Sequence, residues 1–442
     1  MNSKKVITRI APSPTGQMHI GTVRTALFNY IFAKQHGGTY FVRIEDTDRE
    51  RNKEEWVDAI WRDFEWCGIL PDKKYRQSEH IERHKELLAS LVASGKAYLS
   101  KEPKKDDPSQ TVEVVRLKNP GGVVTFSDLV RGDISVDTTD LGDFVIARSI
   151  DDPLYHFAVV VDDGDAGVTH VLRAEEHISN TPRQILILEA LGFERPVYGH
   201  FPLILAPDRS KLSKRKHGAS IENYRAQGFI PEALINYLAF LGWNPGTEEE
   251  LFTLDELIER FSIDKLQKAG AIFDEVKMRW FNHEHLKKLS DQEFTERLVT
   301  FAGETPLPPY LGHILSLLRE RSQTLGEALQ ALADGEFAFM EDNITYEPAL
   351  LLKGAKVDAA AAKAHLQKVT EMLESIESTN FTAEGTKEVI FPYATEQGRS
   401  GVLWPMRVAL SGKEKSPDPF TLCALLGKEK TLERIAQASR VL

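Results

Sequence analysis

The chain has 442 residues, of which 42% are hydrophobic and 27% are charged, and its formal net charge is −11. Domains average about 150 residues, so this length predicts about three of them, and the composition is that of a globular protein. No segment approaches the about 20 apolar residues of a membrane span, and the N-terminus has no apolar stretch typical of a signal peptide, so we expect no membrane association.

The two cysteines, Cys67 and Cys423, are too few for a disulfide framework or a cysteine-rich zinc site. Each lies in an apolar, helix-like context, which predicts a buried, unreactive thiol. Together with the missing signal peptide, this favours a cytoplasmic location. The negative net charge is not typical of a nucleic-acid-binding protein, but a local basic face stays open because surface fields act over about one Debye length.

The N-terminal region alternates strand-like and helix-like segments. Residues 6–10 predict a strand, and the loop at 11–16 contains two prolines and a glycine that exclude a helix. Apolar spacings of three and four predict a helix over 21–36, which a glycine pair ends. A strand at 39–44 and an amphipathic helix around 56–64 follow. This order is typical of the start of a parallel α/β sheet.

Between residues 103 and 120 the periodic pattern stops, in a stretch rich in Lys, Asp and Pro. Alternating runs such as 123–126 follow, and we interpret them as an inserted α+β module rather than a continuation of the sheet. The continuous apolar run 157–161 then predicts a buried parallel strand. Three further elements are predicted: a strand at 168–172, a helix at 181–191 and a strand at 203–205.

Beyond Gly218 the chain has a mostly helical pattern. Pro231 stands in the favoured first turn of a helix that runs to Gly242. Residues 290–293 have the form of a capping box and predict the start of another helix. A further helix is predicted over 359–376. The C-terminal region is therefore expected to be α-helical.

Two segments carry the chemistry. Residues 9–22 predict a strand, a tight loop and a helix N-terminus, whose free N–H groups and positive dipole end attract anions. His19 stands before that helix as a hydrogen-bond donor, and Gly21 permits close approach of a nucleotide. Residues 211–216 hold four cations. Taken alone, the first segment is better explained as a proline-rich loop with a surface histidine and the second as a solvated basic loop. Two such elements at the ends of parallel strands, however, suit a triphosphate.

The first segment resembles the HIGH motif of class I aminoacyl-tRNA synthetases, and residues 211–215 resemble their KMSKS loop. The flanking residues are similar to those of the glutamyl-tRNA synthetase family. The resemblance is close up to about residue 290 and weak up to 404–412. The matching segments are Arg9 to Gly16, Arg24 to Asn29, Arg43 to Asp48, Val161 to Asp163, Asn180 to Gln184 and Asn236 to Ala239.

The resemblance implies the binding of L-glutamate, ATP and tRNA-Glu. Planar guanidinium groups suit carboxylates, and Arg9 is expected on the γ-carboxylate of glutamate. Glu45 is expected to accept the α-ammonium group. The residues that the resemblance assigns to glutamate are Arg9, Ala11, Ser13, Glu45, Tyr155 and Arg173. Those that it assigns to ATP are Thr15, His19, Gly21, Glu176, Lys211, Ser213 and Lys214.

The implied reaction has two steps and requires no protein nucleophile. Glutamate attacks the α-phosphorus of ATP to give glutamyl-adenylate, and the terminal adenosine of tRNA then accepts glutamate. His19, Lys211 and Lys214 are the expected catalytic residues, acting by position and charge. Mg²⁺ would arrive with ATP. The segment 97–102 lacks the cysteine pair with which many relatives begin a zinc site, so we predict no zinc, and we expect a monomer.

The predicted fold is a Rossmann-type α/β catalytic domain of the class I synthetases with an α+β insertion, followed by mostly α-helical C-terminal domains. The predicted segments are 1–80 and 151–207 for the two catalytic halves, 81–150 for an acceptor-stem-binding insertion, 208–289 for the KMSKS loop and a stem-contact domain, and 290–442 for an α-helical anticodon-binding region.

Several alternatives stay open or are disfavoured at this point. Arg9 disfavours a glutaminyl-tRNA synthetase, because a neutral amide gives a guanidinium no charge to pair with. The residues after Leu289 disfavour both the truncated enzyme that modifies queuosine in tRNA and a small nucleotidyltransferase. The presence of His19, Lys211 and Lys214 disfavours a catalytically silent paralogue. Charging of tRNA-Gln, and the details of the substrate pocket around Val159, stay open.

Overall fold

A computed structural model describes residues 5–47, 50–103, 107, 109–213 and 218–442. The chain forms two units, Met1–His285 and Leu286–Leu442. None of the helices in the described ranges has the length and apolar character needed to cross a membrane.

The secondary structure alternates in the first unit and is helical in the second. The strands are β1 (Ile7–Ile10), β2 (Thr39–Ile44), β3 (Lys73–Arg76), β4 (Ala97–Pro103), β5 (Thr111–Leu117), β6 (Val123–Asp128), β7 (Gly132–Asp137), β8 (Phe144–Ser149), β9 (Asp152–Pro153), β10 (His170–Ala174), β11 (Val197–Phe201), β12 (Ile204–Leu205) and β13 (Ala271–Ile272). The helices up to the end of the first unit are α1 (Ile20–Gln35), α2 (Glu54–Trp66), α3 (Ile81–Ala93), α4 (Tyr155–Asp165), α5 (Thr181–Leu191), α6 (Ile221–Ala226), α7 (Pro231–Phe240), α8 (Leu254–Arg260) and α9 (Glu275–Lys288).

A parallel sheet lies at the centre of the first unit. Strands β3, β2 and β1 pair in parallel in that order, and β10 pairs in parallel with β11. Strands β1 and β10 are neighbours, because the backbone N–H of Thr169 donates to the carbonyl of Ile7 over 3.1 Å. The strand order therefore reverses between β1 and β10, which is the switch point where doubly wound folds bind ligands.

One predicted strand is wrong. Residues 157–161 belong to helix α4, whose residues from Phe157 to Asp162 are all buried. The helix packs closely at Gly164, where an added Cβ would lie 2.6 Å from the Phe193 ring. An element that is buried on every side loses the polar–apolar period of both helix and strand, so a short apolar run does not distinguish the two.

The inserted segment is also more integrated than predicted. Strands β4, β5, β8 and β9 form a separate antiparallel sheet. The hairpin β6–β7, however, continues the central sheet, because β6 pairs in parallel with β11 where Asp128 faces Tyr198. Residues 123–128 alternate between exposed and buried positions. That alternation correctly indicates a strand with one solvated face, but it does not tell which sheet the strand joins.

The second unit is built from helices. They are α10 (Asp291–Ala302), α11 (Leu311–Arg321), α12 (Leu325–Ala333), α13 (Leu350–Lys353), α14 (Ala359–Glu374), α15 (Ala383–Gln397), α16 (Arg399–Ser411) and α17 (Pro419–Val441). The capping box predicted at Ser290 is confirmed, since its side chain accepts from the backbone of Glu293 at the start of α10. The predicted helices over 21–36, 181–191 and 359–376 are confirmed to within two residues as well.

Candidate active site

A cavity of about 760 Å³ opens at the switch point of the first unit. Its walls come from the carboxyl ends of β1, β2 and β10, from the start of α1 and from the segment after β12. The structure brings eleven of the predicted site residues to this cavity: Arg9, Ala11, Ser13, His19, Gly21, Glu45, Tyr155, Arg173, Glu176, Lys211 and Ser213. Val159, whose position the sequence left open, lines it too.

Two predicted residues are not in this set. Thr15 is exposed and does not line the cavity; its backbone N–H donates to the carbonyl of Ser13 in the loop before α1. Lys214 lies outside the residues that the structure describes. The roles assigned to these two residues therefore stay predictions.

His19 caps helix α1 and has a defined tautomer. Its Nδ1 accepts the backbone N–H of Gly21 over 2.9 Å, so the ring proton lies on Nε2, where it can be donated. A Cβ at position 21 would stand 2.9 Å from that Nδ1, which explains the need for glycine. The cap lies beside the segment after the KMSKS-like loop, because Ile20 N donates to the carbonyl of Ala219 over 3.1 Å.

Arg9 is held at the cavity by a carboxylate. Its Nη2 and Nε donate to Asp163 over 2.9 and 3.2 Å, and Arg43 donates to the same carboxylate over 2.6 Å. Burial alone would raise the pKa of Asp163, but the positive charges of the two arginines outweigh it and lower the pKa to about 2. Asp163 is therefore a carboxylate at any physiological pH.

Glu45 shares this network. Its Oε1 accepts from Arg43 over 3.2 Å, and the Arg43 guanidinium is fully buried. Burial raises the pKa of Glu45, although the charges of Arg43 and Arg9 oppose the shift. A cationic group that entered the cavity next to Glu45 would favour its ionised form.

Arg173 is held differently, by neutral groups. Its Nε donates to His200 Nε2 over 3.2 Å, and its Nη2 donates to Thr181 Oγ1 over 2.9 Å and to the carbonyl of His177 over 3.4 Å. The side chain is only 6% exposed, and its burial lowers the pKa to about 10. No carboxylate forms an ion pair with it among the described residues.

The other end of the cavity carries one ion pair between predicted residues. Lys211 Nζ contacts Glu176 Oε2, and both side chains are substantially exposed. The backbone of Lys211 forms an isolated antiparallel β-bridge with Leu205 of β12, and the adjacent Leu212 is buried. The buried leucine anchors the described part of the KMSKS-like segment, while the charge of Lys211 remains accessible from the cavity.

Comparisons with known proteins agree with this geometry. The sequence profile described as "tRNA synthetases class I (E and Q), catalytic domain" matches residues 5–106 and 99–280, and that described as "Anticodon binding domain" matches residues 293–439. A glutamate–tRNA ligase of Desulforudis audaxviator is 38% identical over 488 aligned positions, which cover 98% of this chain and 96% of that protein. The chain belongs to the glutamate–tRNA ligase family of class I synthetases.

Other members of the family support the same assignment. A glutamate–tRNA ligase of Geobacter sulfurreducens is 37% identical, and the alignment covers 97% of both chains. The crystal structure of a glutamate tRNA ligase from Elizabethkingia meningosepticum, in complex with its amino acid, has a TM-score of 0.83 at 30% identity and covers 99% of both chains. A second Elizabethkingia structure has a TM-score of 0.81. The predicted fold class is confirmed.

Several residues of the site had no role in the sequence-based prediction. Arg24 lines the cavity and donates to the carbonyls of Leu241, over 2.9 Å, and of Pro202. Asp163 contacts Arg9, and His200 contacts Arg173. Arg24 and Asp163 lie in segments that resemble the family, but no sequence signal links His200 to Arg173.

Within the described ranges, no three or more His, Cys, Asp and Glu side chains come together as a metal site. The absence of zinc stays a prediction.

Proposed function

We propose that this protein is a glutamate–tRNA ligase, which activates L-glutamate with ATP and transfers it to the terminal adenosine of tRNA-Glu. The observation that carries the proposal is one cavity in which the buried guanidinium groups of Arg9 and Arg173 lie beside a helix N-terminus capped by His19. Two cations suit an amino acid with two carboxylates, and a helix N-terminus suits the phosphates of ATP.

The three charged groups of glutamate match three groups of the cavity. Arg173, which has only neutral partners among the described residues, supplies an uncompensated positive charge for one carboxylate. Arg9 presents a guanidinium that Asp163 orients, and we assign it the γ-carboxylate. Glu45 accepts the α-ammonium group. Ala11, Ser13 and Tyr155 complete the wall of this subsite.

The ATP subsite lies towards α1 and the KMSKS-like segment. His19 Nε2 and the N-terminus of α1 at Gly21 would donate to phosphate oxygens, and Lys211 would neutralise charge on the phosphates. Glu176 would accept from ribose or adenine. Ser213 lines this end of the cavity, and Thr15 and Lys214 are assigned to the same subsite from the resemblance alone. Mg²⁺ would enter as part of the nucleotide substrate.

The chemistry follows from position and charge. The α-carboxylate attacks the α-phosphorus, a P–O bond forms, and the bond to pyrophosphate breaks with the charge stabilised by Lys211 and His19. The 2′-hydroxyl of the terminal adenosine then attacks the activated carbonyl. AMP leaves with the bonding electrons, and the hydroxyl proton passes to the AMP phosphate or to water.

The tRNA contacts are proposed by segment. We assign the acceptor stem to residues 81–150, a stem contact to 208–289 and the anticodon to the helical residues 290–442. The match of residues 293–439 to an anticodon-binding family supports the last assignment. We further propose that the enzyme acts as a cytoplasmic monomer.

The test is ATP-dependent charging of separate tRNA-Glu and tRNA-Gln transcripts with labelled glutamate and labelled glutamine. Glutamate on tRNA-Glu alone is the expected result. Glutamate on both transcripts would show a non-discriminating enzyme that depends on a later amidation step. Transfer of glutamine would refute the role of Arg9, and no charging of either transcript would refute the proposed function.

A further inference from the structure

We propose that His200 is a positioning residue for Arg173, and that Asp128 sets the tautomer of His200 that this task requires. The inference rests on the proposed function, because Arg173 is taken as a ligand of the substrate carboxylate. Neither His200 nor Asp128 lines the cavity, and both are fully or almost fully buried. Their effect on the substrate would therefore pass through Arg173.

Asp128 is fixed as an ionised acceptor. Its Oδ1 accepts the backbone N–H groups of Val130, Arg131 and His200 over 3.0, 2.9 and 3.2 Å, and its Oδ2 faces His200 Nδ1 at 2.6 Å. Burial alone would raise the pKa of Asp128, but His200 and the backbone donors outweigh it and lower the pKa. A carboxylate in this place requires the ring proton of His200 to lie on Nδ1.

The other ring nitrogen must then accept a hydrogen bond. His200 Nε2 carries no proton in this tautomer, and it lies 3.2 Å both from Arg173 Nε, which can only donate, and from the hydroxyl oxygen of Thr181. Thr181 Oγ1 and the carbonyl of His177 hold Nη2 of the same guanidinium. Nη1, for which the structure gives no hydrogen-bond partner among the described residues, is left for a substrate carboxylate.

The imidazole also keeps the two charges apart. A carboxylate in direct contact with Arg173 would neutralise it, as Asp163 does for Arg9. With a neutral ring between Asp128 and Arg173, the guanidinium is oriented without being paired. Its positive charge therefore stays available for an incoming carboxylate in a buried, weakly screened place.

Protonation of His200 would break its hydrogen bond with Arg173, because an Nε2–H would then face the Nε–H of Arg173. The charged and titratable groups around the ring are Asp128 on β6, Arg131 after β6, Arg173 on β10, His177 after β10 and Tyr198 on β11. Burial lowers the pKa of His200, its hydrogen bond to Asp128 opposes the shift, and the charges of the two arginines add to it, so that the pKa is lowered on balance. The neutral ring is thus present at neutral pH and is lost only as the pH falls below the usual histidine range.

The test compares two substitutions of the same ring by glutamate charging of tRNA-Glu between about pH 5 and about pH 8. His200→Asn keeps a donor for Asp128 but does not reach Arg173, and the KM for glutamate should rise about tenfold. His200→Gln places an acceptor near the position of Nε2 and cannot titrate. The KM of His200→Gln for glutamate should stay closer to that of the unmodified enzyme and should not rise towards acid pH.

Asp128→Asn supplies a second, independent variant. The amide would donate to His200 Nδ1 and shift the ring proton to Nε2, so that an N–H would face Arg173, which should raise the KM for glutamate but not for ATP. Tyr198→Phe is the matched control, because Tyr198 stacks on the His200 ring and its pKa is raised to about 12 by burial, so its hydroxyl stays neutral.

The outcomes distinguish the positioning of Arg173 by His200 from a merely structural role of His200 and from a failure of the proposed function. Equal increases in the KM for glutamate in His200→Asn and His200→Gln, or a parallel rise in the KM for ATP, would refute the positioning role of His200. If the unmodified protein does not charge tRNA-Glu with glutamate, the proposed function is overturned, and the positioning role of His200 with it. Thermal unfolding of each variant shows whether the fold is intact.

Discussion

Two of the buried arginines that line the cavity, Arg9 and Arg173, are stabilised in opposite ways. Arg9 and its neighbour Arg43 share the carboxylate of Asp163, whereas Arg173 is held by an imidazole, a hydroxyl and a backbone carbonyl. Both sets of partners position a planar guanidinium in a protein interior, but only Asp163 compensates its positive charge. Arg9 therefore contributes mainly geometry to the site, whereas Arg173 contributes both geometry and charge.

This difference also separates stability from binding. Breaking a buried ion pair leaves an uncompensated charge in the interior, which is strongly destabilising. Changing a neutral partner of a buried cation costs less in folding, because no new buried charge is created. We therefore expect changes near Arg9 to lower the stability of the fold, and changes near Arg173 to weaken glutamate binding.

The largest expected effect comes from Asp163→Asn. Arg9 and Arg43 would lose their shared counter-charge, and the free energy of unfolding should fall by about 3–5 kcal/mol. Urea denaturation measures this free energy of unfolding. The matched control is Asp165→Asn on the same helix, a partly exposed partner of Arg83, which should cost less than about 1 kcal/mol. Equal losses in the two variants would remove the contrast.

Arg173→Lys is expected to change binding rather than stability. Lysine keeps the positive charge but loses the planar fork, so kcat/KM for glutamate should fall about 100-fold, while unfolding shifts little. Steady-state charging measures the first quantity and calorimetry the second. Arg195→Lys, at an exposed ion pair with Glu189, is the control. A large loss of stability with normal kcat/KM would reverse the assignment of the two arginines.

A pH series tests the charge on Asp163. Its pKa is lowered from 3.8 to about 2, so its contribution is fully present above the pKa of the unfolded chain and is lost as pH falls towards about 2. The contribution is about 2 kcal/mol. The stability difference between the unmodified protein and Asp163→Asn should therefore shrink below about pH 4. A difference that is constant down to acid unfolding would argue against an ionised Asp163.

The smallest expected effect is that of Thr181→Val. The valine fills the same buried volume but removes one neutral acceptor from Arg173 Nη2 and the hydroxyl contact to His200 Nε2, so the KM for glutamate should rise about fivefold. The KM for ATP should not change, because the ATP subsite is separate. An unchanged KM for glutamate would show that His200 and the carbonyl of His177 are sufficient to hold Arg173.

The sequence predicted the framework of the site better than its electrostatics. The strand, loop and helix around His19 follow from local rules, because proline, glycine and helix periodicity act over a few residues. The partners of the arginines do not. Arg9 and Asp163 are 154 positions apart and Asp128 and His200 are 72 apart, so only the folded sheet brings them together.

The two corrections of the fold have a related cause. The apolar run 157–161 predicts a strand but belongs to helix α4, because burial on all sides removes the periodic signal. The two aspartates that continue the helix are satisfied by distant arginines and a histidine. The hairpin β6–β7 was recognised as strands, but its partner β11 follows about 70 residues later. Local pattern indicates the type of an element and not its neighbours.

The pairing of β6 with β11 has a consequence for attempts to reduce this enzyme to a minimal catalytic fragment. Excision of the segment between the two catalytic halves would remove the hairpin and turn β11 into an open edge of the central sheet. An uncovered edge of this kind invites association with other chains. The same excision would delete Asp128, so the shortened protein would combine a tendency to aggregate with a poorly oriented Arg173.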